Sequence, residues 1–215
     1  MPVWDIPLRL FHGLLALTVS LAWLTGDSGP DWLERHIVIG QFVLGLLLFR
    51  FVWGFIGTDT AMYKNFIPGP RQLKADLAGR WQGEGHSPVS GIAVVVITLT
   101  LLLQCLSGLV AFNDELDIYG PLYMLMNKSW IAVGQSLHHY GQYSVAIIVA
   151  THLLAIFLIY LAKGKSFIVA MVTGGKRDNI PDYIEENVVG LISRFFIACF
   201  ISSLAIIFLN KLVIF

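Results

Sequence analysis

Five long apolar runs, separated by short polar stretches, dominate the pattern along the chain. They predict spans over about residues 6–25, 36–56, 89–112, 135–161 and 188–212. Each is close to or above the roughly 20 apolar residues that a helix needs to cross about 30 Å of hydrocarbon. In lipid each must be a helix, because every backbone polar group has to be satisfied within its own segment. The third run, VSGIAVVVITLTLLLQCLSGLVAF, is apolar almost throughout, and the fifth carries Arg194 near its start. Between spans two and three, residues 58–88 are polar, with turn chemistry in PGPR and GEGHSP and a short helix expected over 71–81. Residues 171–186 form a second linker, broken by Gly174-Gly175. No internal repeat or low-complexity tract is visible. The expectation is an all-α transmembrane bundle. Residues 1–174 form a four-helix domain, and 175–215 add a linker and a fifth span as an appendage.

The polar stretches carry a strong charge bias. Arg9, Arg50, Lys64, Arg71, Lys74 and Arg80 lie before the first span and from the end of span two to span three, and Lys163, Lys165, Lys176 and Arg177 lie between spans four and five, with Arg194 close by. The other side holds Arg35, Lys128 and, at the end, Lys211. The excess of Lys and Arg on one side puts the N-terminus in the cytoplasm, and five spans then put the C-terminus outside. The outer loops are acidic, with Asp27, Asp31 and Glu34 in one and Asp114, Glu115 and Asp117 in the other.

Composition agrees with a membrane protein. The chain of 215 residues is 56% hydrophobic and 13% charged, about half the charge usual in a soluble domain. A net charge of zero argues against a nucleic-acid surface. Cys105 and Cys199 lie deep in apolar runs and read as free thiols. No C-x-x-C-H occurs, which argues against a c-type haem. The start, MPVWDIPLRLFH, lacks a basic region and a small-residue cleavage site, so the first helix is expected to be retained.

Candidate chemistry centres on histidine. His12, His36, His138 and His152 fall within or at the lip of spans, where an ionisable side chain is costly and reads as functional by default. His12 lies about one turn into a helix that starts inside, and His36 opens one that starts outside. Span four runs from outside to inside, with His138 near its outer end and His152 in its inner half. The pairs are therefore His36 with His138, outer, and His12 with His152, inner. Fourteen residues of helix separate His138 from His152, about 21 Å at 1.5 Å per residue. The rotation falls only about 40° short of four full turns, so both face one side. His139 is the rival outer ligand, but its thirteen-residue spacing turns it about 140° from His152.

Two opposed histidines without thiolate or carboxylate fit a b haem better than zinc, which takes about four ligands in one cluster. Gly40, Gly45 and Ser107-Gly108 leave room for a flat macrocycle, although Gly is common in membrane helices anyway. Arg9 and Arg50 read first as snorkelling interface cations, with pairing to haem propionates as the alternative account. A single intramembrane histidine also serves as a hydrogen-bonding residue or a proton relay, but neither role predicts pairing at two levels. His86 reads as a surface or capping residue.

The stretch VWDIPLRLFH around His12 resembles the opening motif of the prokaryotic di-haem cytochrome b family, the b-561 type, which includes the b-type subunit of nickel–iron hydrogenases. Further similarities follow in order: RHIVIGQFVLGLLLFRFVWGFIG from Arg35, FIPGPRQLKADL from Phe66, GHSP from Gly85, LLLQCLSGL, and SLHHYGQYSVAIIVATHLL across span four. The resemblance covers about residues 3–174. It implies a four-helix bundle in a bacterial cytoplasmic membrane, two b haems, and axial ligands at His12, His36, His138 and His152. It also implies electron transfer between membrane quinone and a redox partner protein, such as a c-type cytochrome or a hydrogenase. In one branch it implies superoxide oxidation coupled to quinone reduction. Two departures stand out: His139 occupies a place where an acidic residue is usual, and the shortest members lack the fifth span.

Three function classes stay open on the sequence: an electron wire through two haems, a superoxide oxidase, and a haem-free transporter or assembly protein. Superoxide is an anion and favours a positive funnel, whereas the outer loops are acidic.

Overall fold

A computed structural model describes residues 4–80, 88–164, 167–173 and 188–212. The fold is all-α, with five helices among the described residues long and apolar enough to cross a membrane. In chain order the elements are α1 (Ile6–Thr25), α2 (Pro30–Ile56), the short α3 (Tyr63–Phe66) and α4 (Pro70–Leu77), and α5 (Pro88–Gly108). Then come a minimal antiparallel pair, β1 (Phe112–Asn113) and β2 (Ile118–Tyr119), and a single 3₁₀ turn. The chain continues with α6 (Lys128–Lys163), α7 (Phe167–Thr173) and α8 (Val188–Leu212).

Three boundaries differ from the sequence reading, each for a local reason. The second long helix begins at Pro30, not at His36. Pro at a first helical position loses no hydrogen bond that the helix could have used, and Gly29, at φ +100, supplies the left-handed turn before it. Asp31 and Glu34 therefore stand on helix, not in a loop. The third long helix stops at Gly108 instead of residue 112. The chain then turns into the strand pair, where the Phe112 N–H donates to Gln135 Oε1 at 3.0 Å. The fourth starts at Lys128, seven residues early, because Asn127 caps it: its Oδ1 accepts from the Trp130 N–H at 3.1 Å. The first and fifth long helices have the expected limits. The predicted 71–81 helix is α4, ending at Leu77. The linker read at 171–186 begins as helix, in α7. Trp81, His86 and Gly174-Gly175 lie outside the described residues.

The chain divides into two compact units, and each of the five long helices gives a stretch to both. Unit 1 comprises Met1–Phe11, Arg50–Ile97 and Ile148–Ala198. Its centre is Trp53, fully buried, with Trp4, Leu8, Phe11, Ala61 and Ala198. Asp5 ties the start of α1 to the end of α2. It caps α1 by accepting from the Leu8 N–H at 2.6 Å, and it accepts from Trp53 Nε1 at 3.1 Å and from the Thr58 hydroxyl. Arg194 of α8 donates from Nη1 to the carbonyls of Ile56 and Gly57, both at 3.0 Å. These carbonyls lie at a helix C-terminus, where backbone acceptors lack intrahelical partners and positive charge is favoured. Phe195 meets Trp53 edge to face, at 6.4 Å between centroids, so α8 is bound to α2 within this unit.

Unit 2 comprises His12–Phe49, Thr98–Ile147 and Cys199–Phe215. Its buried side chains include Val43, Leu44, Leu47, Leu101, Leu109 and Val145. It is built around a cavity.

Candidate cofactor site

The cavity in unit 2 has a volume of about 520 Å³ and is lined from α1, α2, α5, α6 and the strand pair. His36 and His138 both line it, their rings 5.9 Å apart between centroids and 73° apart in plane. His36 stands in the second turn of α2, deeper than a helix-opening position. Its Nδ1 lies 2.8 Å from the Ala22 carbonyl, in the last turn of α1, which also accepts from the Thr25 hydroxyl at 3.3 Å. His138 Nδ1 lies 3.0 Å from the Gln104 carbonyl, one turn before the end of α5. A carbonyl can only accept, so each Nδ1 carries the proton and each Nε2 keeps its lone pair. This is the support that metal-bound imidazoles receive: the outer nitrogen is tied to a carbonyl, fixing both tautomer and ring orientation.

Gln104 clasps His138 twice. Beyond its backbone carbonyl, its side-chain Nε2 donates to the His138 carbonyl at 3.0 Å. Ser107 also donates to the Gln104 carbonyl at 3.0 Å. Gly108 makes the approach possible, since a Cβ there would lie 2.7 Å from His138 Cε1. Gly40 differs: it lines the cavity, and a Cβ there would meet nothing within 4 Å. Of the three glycines expected to make room for a ring, Gly40 faces open space, Gly108 seats the imidazole, and Gly45 lies against Ile206, whose Cγ1 a Cβ there would meet at 3.5 Å.

His139 also lines the cavity, but it is exposed, and its ring packs edgewise on Tyr140 at 5.0 Å. The opposed pair is His36 with His138. His12, on α1, and His152, on α6, are both half-buried. His12 falls in unit 2 and His152 in unit 1. Arg9 and Arg50 are both in unit 1. Arg9 donates from Nη2 to the Val172 carbonyl of α7. Arg50 does not snorkel, contrary to what its place at the end of a span predicts. It is only 2% exposed, with its guanidinium 4.8 Å from the centroid of the Tyr63 ring, and the Tyr63 hydroxyl donates to its carbonyl at 3.2 Å. The ring sits over Gly54, where a Cβ would be 2.0 Å from Tyr63 Cε2.

Acidic groups stand at the loop end of the cavity. Asp27, Ile118 and Tyr119 line it. The Tyr119 phenol is held above its ordinary pKa, first by its hydrogen bond to Asp117 and further by the charges of Asp117 and Asp114. Among the described residues no group of three or more His, Cys, Asp or Glu gathers as a site for a bare metal ion.

Gln104 was missed by the sequence reading, though a signal for it was present. It is the one amide in the run 89–112, and a polar side chain inside a span needs a partner on a neighbouring helix.

No solved structure matches the chain. A curated relative from Rhizobium leguminosarum bv. viciae, described as a probable Ni/Fe-hydrogenase B-type cytochrome subunit, is 19% identical over 212 residues, covering 80% of this chain and 87% of that protein. Residues 3–174 match the family described as prokaryotic cytochrome b561. With four-fifths of its length inside that match, and an opposed, carbonyl-anchored histidine pair beside a cavity, this chain belongs to the prokaryotic cytochrome b561 family.

Proposed function

We propose that this protein conducts electrons across a bacterial cytoplasmic membrane through two b haems, one held by His36 and His138 and the other by His12 and His152. The observation that carries the reading is the His36–His138 pair. An imidazole nitrogen lies about 2 Å from a metal it ligates, so two rings on opposite sides of one metal have centroids roughly 6 Å apart. The pair stands at 5.9 Å. The cavity of about 520 Å³ falls within the range of roughly 300–1,000 Å³ typical of cofactor sites, and the buried Leu101 and Val145 give it an apolar side.

A bound b haem supplies one-electron redox chemistry. The protein's part is to hold both Nε2 lone pairs ready by anchoring each Nδ1–H, and to bury the site. The inner pair rests on helix geometry. His138 and His152 lie on one unbroken helix, α6, so the fourteen-residue spacing keeps both on one face. The basic residues that set topology lie in the segments of unit 1, whereas Arg35, Lys128 and Lys211 are in those of unit 2. That segregation supports a cytoplasmic N-terminus and a periplasmic C-terminus. The electron partners we propose are the quinone pool and a protein such as a c-type cytochrome or hydrogenase. The relative's description as a hydrogenase cytochrome subunit favours docking to a partner protein.

Pyridine haemochrome assay of the purified protein tests the reading directly. Two b haems per chain, reducible by quinol, are expected; a stoichiometry of one or none overturns the two-site arrangement.

A further inference from the structure

A second cavity of about 260 Å³ lies in unit 2 on the α5–α6 seam. Its lining includes Thr100, Gln104, Ser136, Tyr140, Gly141 and Ser144. Ser136, Tyr140, Tyr143 and Ser144 follow helical spacing, and all four are exposed, so they form a polar stripe on an outward face of a membrane-spanning helix. Polar side chains at membrane depth normally turn inward. In the wall of this cleft Gln104 Oε1 is buried without a hydrogen-bond partner. Its assignment as the oxygen is forced, because the amide nitrogen is the atom that donates to the His138 carbonyl. Oε1 lies against Gly141, where a Cβ would come within 2.2 Å of it. A buried acceptor left unpaired costs free energy and calls for a donor.

We propose that this cleft binds the dihydroxy-aromatic headgroup of a membrane quinol, with one hydroxyl donating to Gln104 Oε1 and the Tyr140 and Ser144 hydroxyls contacting the rest of the ring. Three observations single out that occupant. The cleft is lined by exposed Leu103 and Leu137 on two helices apolar enough to cross a membrane, which suits a ligand that arrives through the bilayer. Its volume is below the roughly 300–1,000 Å³ of drug-sized sites and suits one substituted ring. Its unmet need is for a hydroxyl donor, which a quinol has and an acyl chain lacks. Gln104 then touches the headgroup with its side chain and His138 with both its side chain and its backbone, so one residue links the cleft to the His36–His138 site. This inference rests on the proposed quinol reading.

Photolabelling of the haem-loaded protein in nanodiscs with an azide-bearing alkyl benzoquinone tests it. Labelled peptides should contain residues 100–104 or 136–144, and the label should be competed by unlabelled quinol but not by added phospholipid. The double variant Tyr140→Phe, Ser144→Ala should weaken quinol binding about tenfold, as loss of two modest hydrogen bonds implies, and should keep its full haem content by pyridine haemochrome. Competed label mapping elsewhere, equal competition by phospholipid, or unchanged affinity in the double variant overturns this site alone. Absence of any quinol-competed label overturns the quinol reading itself.

Discussion

The two units are made from the same five helices and use them in opposite ways. In unit 1 polar groups serve packing. Asp5, Trp53 and Thr58 form one hydrogen-bonded knot, Arg50 lies against Tyr63, and Arg194 closes the end of α2. In unit 2 polar groups are held at the wall of a void, and backbone carbonyls near helix ends hold His36 and His138. A membrane bundle gains no hydrophobic drive between its helices, so it is held by close packing and hydrogen bonds. The contrast teaches that one set of helices can use polar groups for packing in one stretch and to line a void in another.

The largest expected effect comes from breaking the histidine pair. His36→Ala or His138→Ala should each abolish one haem and leave the other, halving the pyridine haemochrome value; His12→Ala or His152→Ala should halve it through the other site. If unit 1 is the structural knot, its loss should lower stability without changing the spectrum of the remaining haems. Arg194→Ala leaves the Ile56 and Gly57 carbonyls without that donor, a cost of roughly 1–3 kcal/mol. A lower thermal midpoint with two haems still bound is expected, whereas an unchanged midpoint would mean that α8 contributes little there.

A smaller, more local change tests the seat of His138. Gly108→Ala places a methyl 2.7 Å from its ring, and overpacking of this kind typically costs about 1–3 kcal/mol. The expected result is a shifted reduction midpoint for one haem only, read by redox titration. The acidic wall of unit 2 gives a gentler test. Any reduction of the haems by superoxide should be slow and should speed up with ionic strength, because salt screens repulsion between exposed charges. Stopped-flow rates that start near the diffusion limit and fall with salt would favour a superoxide oxidase. The smallest effect is expected from His139→Ala, which should keep both haems. Loss of one there, with His138→Ala unaffected, would show the neighbouring histidine to be the ligand.

Much of this was legible before any coordinates. Span number and the limits of α1 and α8 follow from length and hydropathy, because lipid leaves the backbone a single way to satisfy itself. The early starts of α2 and α6 were hidden because polar residues such as Asp31 and Lys128 end a hydropathy run without ending a helix. Pro30 and Asn127 carried the cue.

What the sequence could not yield is everything made by residues distant in the chain. That His36 hangs from the Ala22 carbonyl, that Gln104 holds His138 from both sides, and that Gly108 is a seat whereas Gly40 faces a void are facts of proximity. Arg50 shows the same division. Its position at the end of a span reads as snorkelling, yet Tyr63, thirteen residues on and in a separate short helix, folds back over Gly54 and buries it. Periodicity and polarity act locally along a helix and can be read from one chain. Partnership between helices depends on rotation and close approach, and only the packed tertiary structure sets those.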